Sequence, residues 1–238
     1  MVTGAGTGIG RATARRFAAK GARVVAVGRR HDPLAETASG HDRIQPLVAD
    51  VTADADELVG TVLESYGRLD VLVNNAGIVR SGTLETITPE AVDAQLATNL
   101  VAPIMLTRAA LPALTAAKGV VVNVSTPIGQ RGWPGNSVYA ATKAALETLT
   151  RSWAVELAPH GIRVVAVAPG ATATPISLHQ GLPAERIAAI REWQLAATPM
   201  RRLGQPEEIA WAITLLASPQ ASFVTGTVFA VDGGAAVQ

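Results

Sequence analysis

Apolar residues along this chain fall into two rhythms that alternate from one end to the other. Short, nearly continuous Val/Leu/Ile runs at residues 23–27, 44–48, 69–73, 120–124, 162–167 and 228–231 predict strands. They lack the apolar-polar alternation of a strand with one wet face, so both faces are expected to be covered. Between them, apolar positions three and four apart predict helices over residues 11–19, 54–66, 89–114, 138–157 and 206–217. Strand and helix in steady alternation imply parallel pairing, because consecutive parallel strands need a crossover. The expected fold class is therefore α/β, a doubly wound, Rossmann-type parallel sheet with helices on both faces. No repeat, low-complexity tract or linker divides residues 1–238, which are expected to form a single domain. The start is irregular: only Met1 and Val2 precede Thr3, where a strand ordinarily has about 5 residues. Either the first strand is short or the natural start lies upstream.

In open parallel sheets ligands sit beyond the carboxyl ends of the strands, and turn-forming and polar residues gather there. Thr3-Gly4-Ala5-Gly6-Thr7-Gly8-Ile9-Gly10 runs straight into the first helix, so its glycines can bring backbone N–H groups and a helix N-terminus to a pyrophosphate. The spacing is not G-x-G-x-x-G, because Ile9 stands where the third glycine is read from Gly4. A Gly-rich turn alone is mostly just a turn; the strand at 23–27 completes a β-α-β unit and raises its weight. Gly28-Arg29-Arg30, Ala49-Asp50-Val51, Asn74-Asn75-Ala76-Gly77, Ser125-Thr126 and Pro169-Gly170 follow the next five strands. Each is an ordinary loop start by itself. Together, on one edge of one sheet, they predict a binding cleft.

Composition narrows the classes. Hydrophobic residues make up 48% and charged residues 16% of the chain, which implies a compact globule with much inaccessible surface, subunit contacts included. A net charge of +1 gives no reason to expect nucleic acid or an anionic membrane as partner. There is no cysteine, which excludes disulfides and thiolate chemistry. His31, His41, His160 and His179 show no metal spacing, so no metal is expected. Long apolar runs are broken by Pro, Gly or charge and nothing resembles a signal segment, so the expectation is a cytoplasmic protein.

Tyr139 and Lys143 are the candidate chemistry. Four residues apart on a helix, they share one face. A free phenol has a pKa near ~10, and a fixed ammonium nearby favours the phenolate, so the pair is expected to bring Tyr139 toward the working pH as an acid/base. Tyr-x-x-x-Lys by itself is more often an amphipathic pair snorkelling on a surface.

With these residues assembled, the chain resembles the short-chain dehydrogenase/reductase family over essentially its whole length. Thr3-Gly4 through Gly8-Ile9-Gly10 matches the family's cofactor turn, Asn74-Asn75-Ala76-Gly77 its central-strand motif, and Tyr139 to Lys143 its catalytic pair. Within the family it looks most like the bacterial 3-oxoacyl-carrier-protein reductase type. The resemblance implies a combined cofactor and catalytic domain with Asn99, Thr126, Tyr139 and Lys143 as catalytic residues. Thr126 stands thirteen residues before Tyr139, where the family carries a serine. Its hydroxyl can still donate to a carbonyl oxygen, while its methyl stiffens χ1 and narrows the pocket. Ser125, one position earlier, is expected to point the other way. By the same resemblance Asn99 holds a water linking Lys143 to solvent, and Lys143 bonds the nicotinamide ribose.

The expected cofactor contacts are Gly4, Thr7, Gly8, Ile9 and Gly10 at the first turn, Arg29 after the second strand, and Asp50 and Val51 at the adenine edge. Asn74 beside the adenosine ribose, Asn75, Ala76 and Gly77, then Pro169, Gly170, Thr172 and Thr174 near nicotinamide complete them, with Tyr139 and Lys143. An acid at the end of the second strand would favour NAD; here Gly28 takes that position and Arg29 follows. NADP(H) is therefore the expected preference, with no carboxylate to repel its 2′-phosphate, and NAD(H) stays possible. Arg29 and Arg30 as plain solvated loop charges are the competing reading. Some NADP-preferring relatives carry a base where Thr7 stands. A substrate lid is expected at about 176–198, where Leu178, His179, Leu182, Ile187, Trp193 and Leu195, with Val79, Ile128 and Trp133, suggest an apolar pocket for a ketone or secondary alcohol. Ile187 and Trp193 could equally pack the lid helix on the domain, and Arg186 and Arg191 could serve an anionic substrate. The long helices at 89–114 and 138–157 carry more apolar face than one sheet covers, although such a helix can equally be buried within the monomer, and the family resemblance implies a homotetramer. The alternative function is a non-redox protein on this scaffold, a dinucleotide-sensing regulator or a Tyr-dependent lyase.

Overall fold

A computed structural model describes residues 1–127, 132–176 and 184–237. The strands are β1 (Val2–Thr3), β2 (Val24–Gly28), β3 (Ile44–Val48), β4 (Val71–Asn74), β5 (Val120–Val124), β6 (Arg163–Pro169) and β7 (Val228–Val231). They form one sheet in the order β3-β2-β1-β4-β5-β6-β7, with every pairing parallel. Helices α1 (Gly8–Ala19), α2 (His31–Ala38), α3 (Ala55–Tyr66), α4 (Pro89–Leu96), α5 (Ala102–Ala117), α6 (Ser137–Leu157), α7 (Ala184–Ala196) and α8 (Pro206–Leu216) connect them.

The continuous apolar runs are explained by a sheet covered twice. Leu72, Val121 and Val164 face one core with α3, α5 and α6, while Val73, Val122 and Val165 face the other with α1 and α8. Neighbours on one strand thus serve opposite cores. Pro46 sits in β3, an edge strand, where a missing N–H is tolerated. Local chemistry sets the helix ends. Asp54 caps α3 by accepting from Asp56 N at 2.9 Å and Glu57 N at 3.1 Å. Pro89 opens α4 behind the Thr88 cap, and Glu208 reaches back to Gln205 N at 2.7 Å at the start of α8.

Two expectations need correction. Helix α2 was not foreseen: eight residues with only Leu34 and Thr37 buried carry too little apolar periodicity to register. The helix expected over residues 89–114 is continuous to Ala117 but holds a π-helical turn at Ala97–Val101. By length and composition Pro89–Ala117 could cross a membrane; in the fold it buries Ala102, Leu106, Ala110 and Leu114 against the sheet, as a core helix does.

The sheet also buries polar groups. Asn74 and Asn123 are register partners on β4 and β5. Asn74 Nδ2 donates to Asn123 Oδ1 at 2.9 Å and Thr107 Oγ1 at 3.3 Å, and Asn123 Nδ2 donates to Thr150 Oγ1 at 2.9 Å. This chain ties α5 and α6 to the centre of the sheet. Asn123→Ala, which takes one hydrogen bond each from the buried Asn74 and Thr150 side chains and opens a void, is expected to cost about 2 to 4 kcal/mol of unfolding free energy. Urea denaturation with an unchanged m-value measures it.

Candidate active site

Strand order reverses about β1, so the crossovers from β1 and β4 leave a crevice between their carboxyl ends. Thr3 and Asn75 fasten that crevice. Thr3 Oγ1 donates to Val73 O at 3.1 Å and accepts from the Asn75 and Ala76 amides at 3.0 Å each, and Asn75 Nδ2 donates to Thr3 O at 2.7 Å. The glycine turn follows directly. A Cβ at Gly10 would lie 2.3 Å from Gly4 O and 2.6 Å from Asn75 Nδ2, so only glycine lets α1 start this close to β4. Thr7, at the helix N-cap, makes no side-chain cap, and the first turn of α1 holds no acid. Thr7, Gly8, Ile9 and Gly10 all line the cleft.

That cleft is a cavity of about 930 Å³. It brings together Gly4, Thr7, Gly8, Ile9, Gly10, Arg29, Asn75, Ala76, Gly77, Thr126, Tyr139, Lys143, Pro169, Gly170, Thr172 and Thr174 from the expected set. Among the described lining residues there is no Asp or Glu, whereas Arg29, Arg30 and Lys143 supply positive charge. An acid-free cradle at a helix N-terminus fits a phosphate-bearing dinucleotide.

Three expected contacts lie elsewhere. Asn74 is buried and spends its amide on Asn123 and Thr107, because consecutive strand residues face opposite ways and Asn75 takes the cleft side. Val51 is buried in the core, and Asp50 does not line the cavity. Asp50 does stand beside Arg29, with Oδ2 at 3.9 Å from NH1, so the expectation that no carboxylate neighbours Arg29 is not met. Burial pushes the Asp50 carboxyl up, but hydrogen bonds from the Thr52 amide and hydroxyl, with the Arg29 charge, outweigh it and hold the carboxyl below its ordinary range.

Helix α6 presents Tyr139 and Lys143 on one face, with Trp133 edge-on to the Tyr139 ring at 6.0 Å. Lys143 is buried, its Nζ donates to Val124 O at 2.7 Å, and it stands 5.8 Å from the Tyr139 ring centroid. Burial pushes the ammonium down to about 8, which leaves it mostly protonated at neutral pH. Burial also pushes the Tyr139 phenol up to about 12, and the half-buried residue lines the cavity. Among these protein groups desolvation outweighs the Lys143 charge, whose Nζ is turned to a backbone carbonyl; the lowering is expected of the pair beside a cationic cofactor. Asn99, fully buried in the π-helical turn, commits its side chain to Ile78, accepting from N and donating to O at 2.9 Å each. Its amide does not line the cavity.

The two hydroxyls after β5 take different partners, although both residues line the cavity. Thr126 Oγ1 donates to Pro169 O at 3.4 Å, while Ser125 Oγ turns to α6. The same cavity is also lined by Val79, Trp133, Ile176, Ile190 and Trp193, with Ser81, Thr83 and Thr86. Trp193 lines the cavity and is 54% exposed, so it is not buried against the domain. Ile128, Leu178, His179 and Leu182, with the side chain of Arg186, lie outside the described residues. Pro33 and Leu34 of α2 also line the cavity and were missed together with their helix.

A family profile described as enoyl-(acyl carrier protein) reductase matches residues 4–236. The chain is 42% identical to a 3-oxoacyl-[acyl-carrier-protein] reductase of Thermotoga maritima, over 98% of this chain and 96% of that one. It is 43% identical to a cis-4-hydroxycyclohexanecarboxylate dehydrogenase of Sinomonas cyclohexanicum, over 98% of this chain and 94% of that one. Among solved structures, a 3-ketoacyl-(acyl-carrier-protein) reductase from Brucella melitensis complexed with NADH superposes with a TM-score of 0.90 at 35% identity, covering 98% of this chain and 96% of that one.

Proposed function

Because the chain belongs to the short-chain dehydrogenase/reductase family of oxidoreductases, we propose that it is an NADP(H)-dependent enzyme interconverting a ketone and a secondary alcohol, with Tyr139 as acid/base. The observation that carries this reading is a shared cavity in which an acid-free glycine turn meets Thr126, Tyr139 and Lys143. A nicotinamide cofactor held there supplies or accepts the hydride at the carbonyl carbon. The chain's own residues handle the oxygen. A phenol pushed up to about 12 is protonated at neutral pH, so Tyr139 stands ready to give its proton to the carbonyl oxygen in reduction. The Lys143 ammonium favours the phenolate left behind, and the Thr126 hydroxyl donates to the same oxygen as charge develops on it. In oxidation the alcohol proton returns to Tyr139.

Val79, Trp133, Ile176, Ile190 and Trp193 support a bulky, fairly apolar substrate. Val101 of the π-helical turn, Met105 of α5 and Val155 of α6 are exposed apolar side chains, which supports burial of these helices between copies in a homotetramer. The test of function is oxidation of NADPH and NADH, followed by absorbance, against aliphatic, aryl and steroidal ketones and β-ketoesters. Ketone-dependent turnover supports the reading; tight cofactor binding without turnover across the panel would support the regulator or lyase instead.

Arg29 carries the cofactor preference. It lines the cavity at the end of β2 and is 67% exposed, free to turn from its loose contact with Asp50 toward a 2′-phosphate. Arg29→Ala is expected to raise the NADPH dissociation constant by about tenfold or more and that of NADH by less than about twofold. Fluorescence titration with both cofactors reads the difference; equal losses would reject the phosphate contact.

A further inference from the structure

One ionisable side chain beside the site has no part in the proposed chemistry. Glu147 follows Tyr139 and Lys143 at the same four-residue step on α6, is only 6% exposed, and does not line the cavity. Burying a carboxylate is costly unless it is paired. Its partners are the Ser125 hydroxyl, donating to Oε1 at 2.9 Å, and the Arg151 guanidinium at 3.7 Å from Oε2. Ser125 Oγ has a second, longer contact of 3.3 Å to Lys143 O.

These bonds converge on three consecutive residues leaving β5. Val124 O accepts the Lys143 ammonium, Ser125 is held by Glu147, and Thr126 carries the hydroxyl assigned to the substrate oxygen. The strand exit that supplies Thr126 is thus pinned to the helix that supplies Tyr139 and Lys143, through a side chain one turn further along that helix. The charge-assisted bond to Glu147 is the stronger of the two Ser125 contacts. A direct electrostatic action of Glu147 on the ammonium is not what shifts Lys143, whose lowered pKa follows from burial.

We propose that Glu147 is a positioning residue: by accepting the Ser125 hydrogen bond it fixes the Thr126 hydroxyl against the Tyr139–Lys143 pair. This rests on the ketone/alcohol reading above. The test compares Glu147→Leu, Glu147→Gln, Ser125→Ala and the Glu147→Leu/Ser125→Ala double variant by kcat, KM, cofactor affinity and thermal midpoint. Misplacement of Thr126 is expected to lower kcat about 10- to 100-fold in Glu147→Leu and in Ser125→Ala, with KM and cofactor affinity within about threefold. The double variant is expected to be no worse than either single one, because both remove the same bond. Glu147→Gln keeps an acceptor for Ser125 and is expected to hold kcat within about threefold of the starting enzyme.

The Thr126 methyl resonance, assigned through Thr126→Ser, reads the same geometry without turnover. It is expected to shift alike in Glu147→Leu and Ser125→Ala and to stay in place in Glu147→Gln. A starting enzyme that turns over no ketone sinks the functional reading, and the methyl shift then still decides the positioning. The proposal is overturned by an unmoved Thr126 methyl, by a lower thermal midpoint with unchanged kcat, by additive losses, or by Glu147→Gln behaving like Glu147→Leu.

Discussion

Tyr139→Phe is expected to lower kcat by about a thousandfold while changing the NADPH dissociation constant by less than about twofold. The argument is local. Phe keeps the ring that packs edge-on against Trp133 and removes only the hydroxyl. Lys143 does not depend on that hydroxyl for its place, because its ammonium is anchored on Val124 O. The glycine turn and Arg29 lie elsewhere in the cavity lining and are untouched. Steady-state kinetics with fluorescence titration of NADPH separates the two quantities. Retained turnover would remove Tyr139 from the mechanism, and a large loss of cofactor affinity would mean that the phenol binds rather than reacts.

Gly10→Ala is expected to act at the glycine turn and through sterics alone. The added methyl would meet Gly4 O at 2.3 Å and Asn75 Nδ2 at 2.6 Å. Neither can yield cheaply: the carbonyl is backbone of the turn, and the amide is the latch between β1 and β4 through Thr3 O. The start of α1 must therefore move away from the cleft, taking its amides with it. Dinucleotide affinity is expected to fall at least about a hundredfold, with a lower thermal midpoint. Gly60→Ala is the matched control. It sits inside α3 with nothing within 4 Å of the added methyl, so it is expected to stabilise the fold, by about 1 kcal/mol, and leave cofactor binding unchanged. Thermal melts and cofactor titrations of both variants check the contrast.

Much of the fold was legible because burial on both faces writes itself as unbroken apolar runs. Residues 120–124 are such a strand at the expected bounds, and 44–48 and 228–231 keep their bounds as edge strands even though much of each is exposed. Residues 69–73 shifted to Val71–Asn74 because Leu69 is buried in the core while preceding the ladder, and apolarity alone does not distinguish the two. Helix α2 escaped because two buried positions set no period, and its cavity-lining Pro33 and Leu34 escaped with it.

The site was legible as far as strand ends and helix spacing reach. Tyr139 and Lys143 share a face, and the glycine turn meets the end of β4, as their positions imply. Choosing between Asn74 and Asn75 needed the facing of β4, which side-chain alternation fixes only once the register is known. The π-helical turn around Asn99 has no periodic signature. Neither does the bond from Ser125 to Glu147, which joins residues 22 apart and leaves the carboxylate looking like any polar helix position. The direction of the Tyr139 shift depends on how much water the fold removes and on where Nζ points, and neither is written in a four-residue spacing.

The central claim is that hydride moves between a nicotinamide and a carbonyl carbon in the cavity that holds Tyr139. The most direct measurement is reduction of a ketone from the panel with NADPH deuterated at the reacting C4 position, followed by mass spectrometry of the alcohol. The account predicts one deuterium on the carbinol carbon, absent with Tyr139→Phe. Tight NADPH binding with no deuterium in any product would contradict it and leave the chain a dinucleotide-binding protein without the redox step.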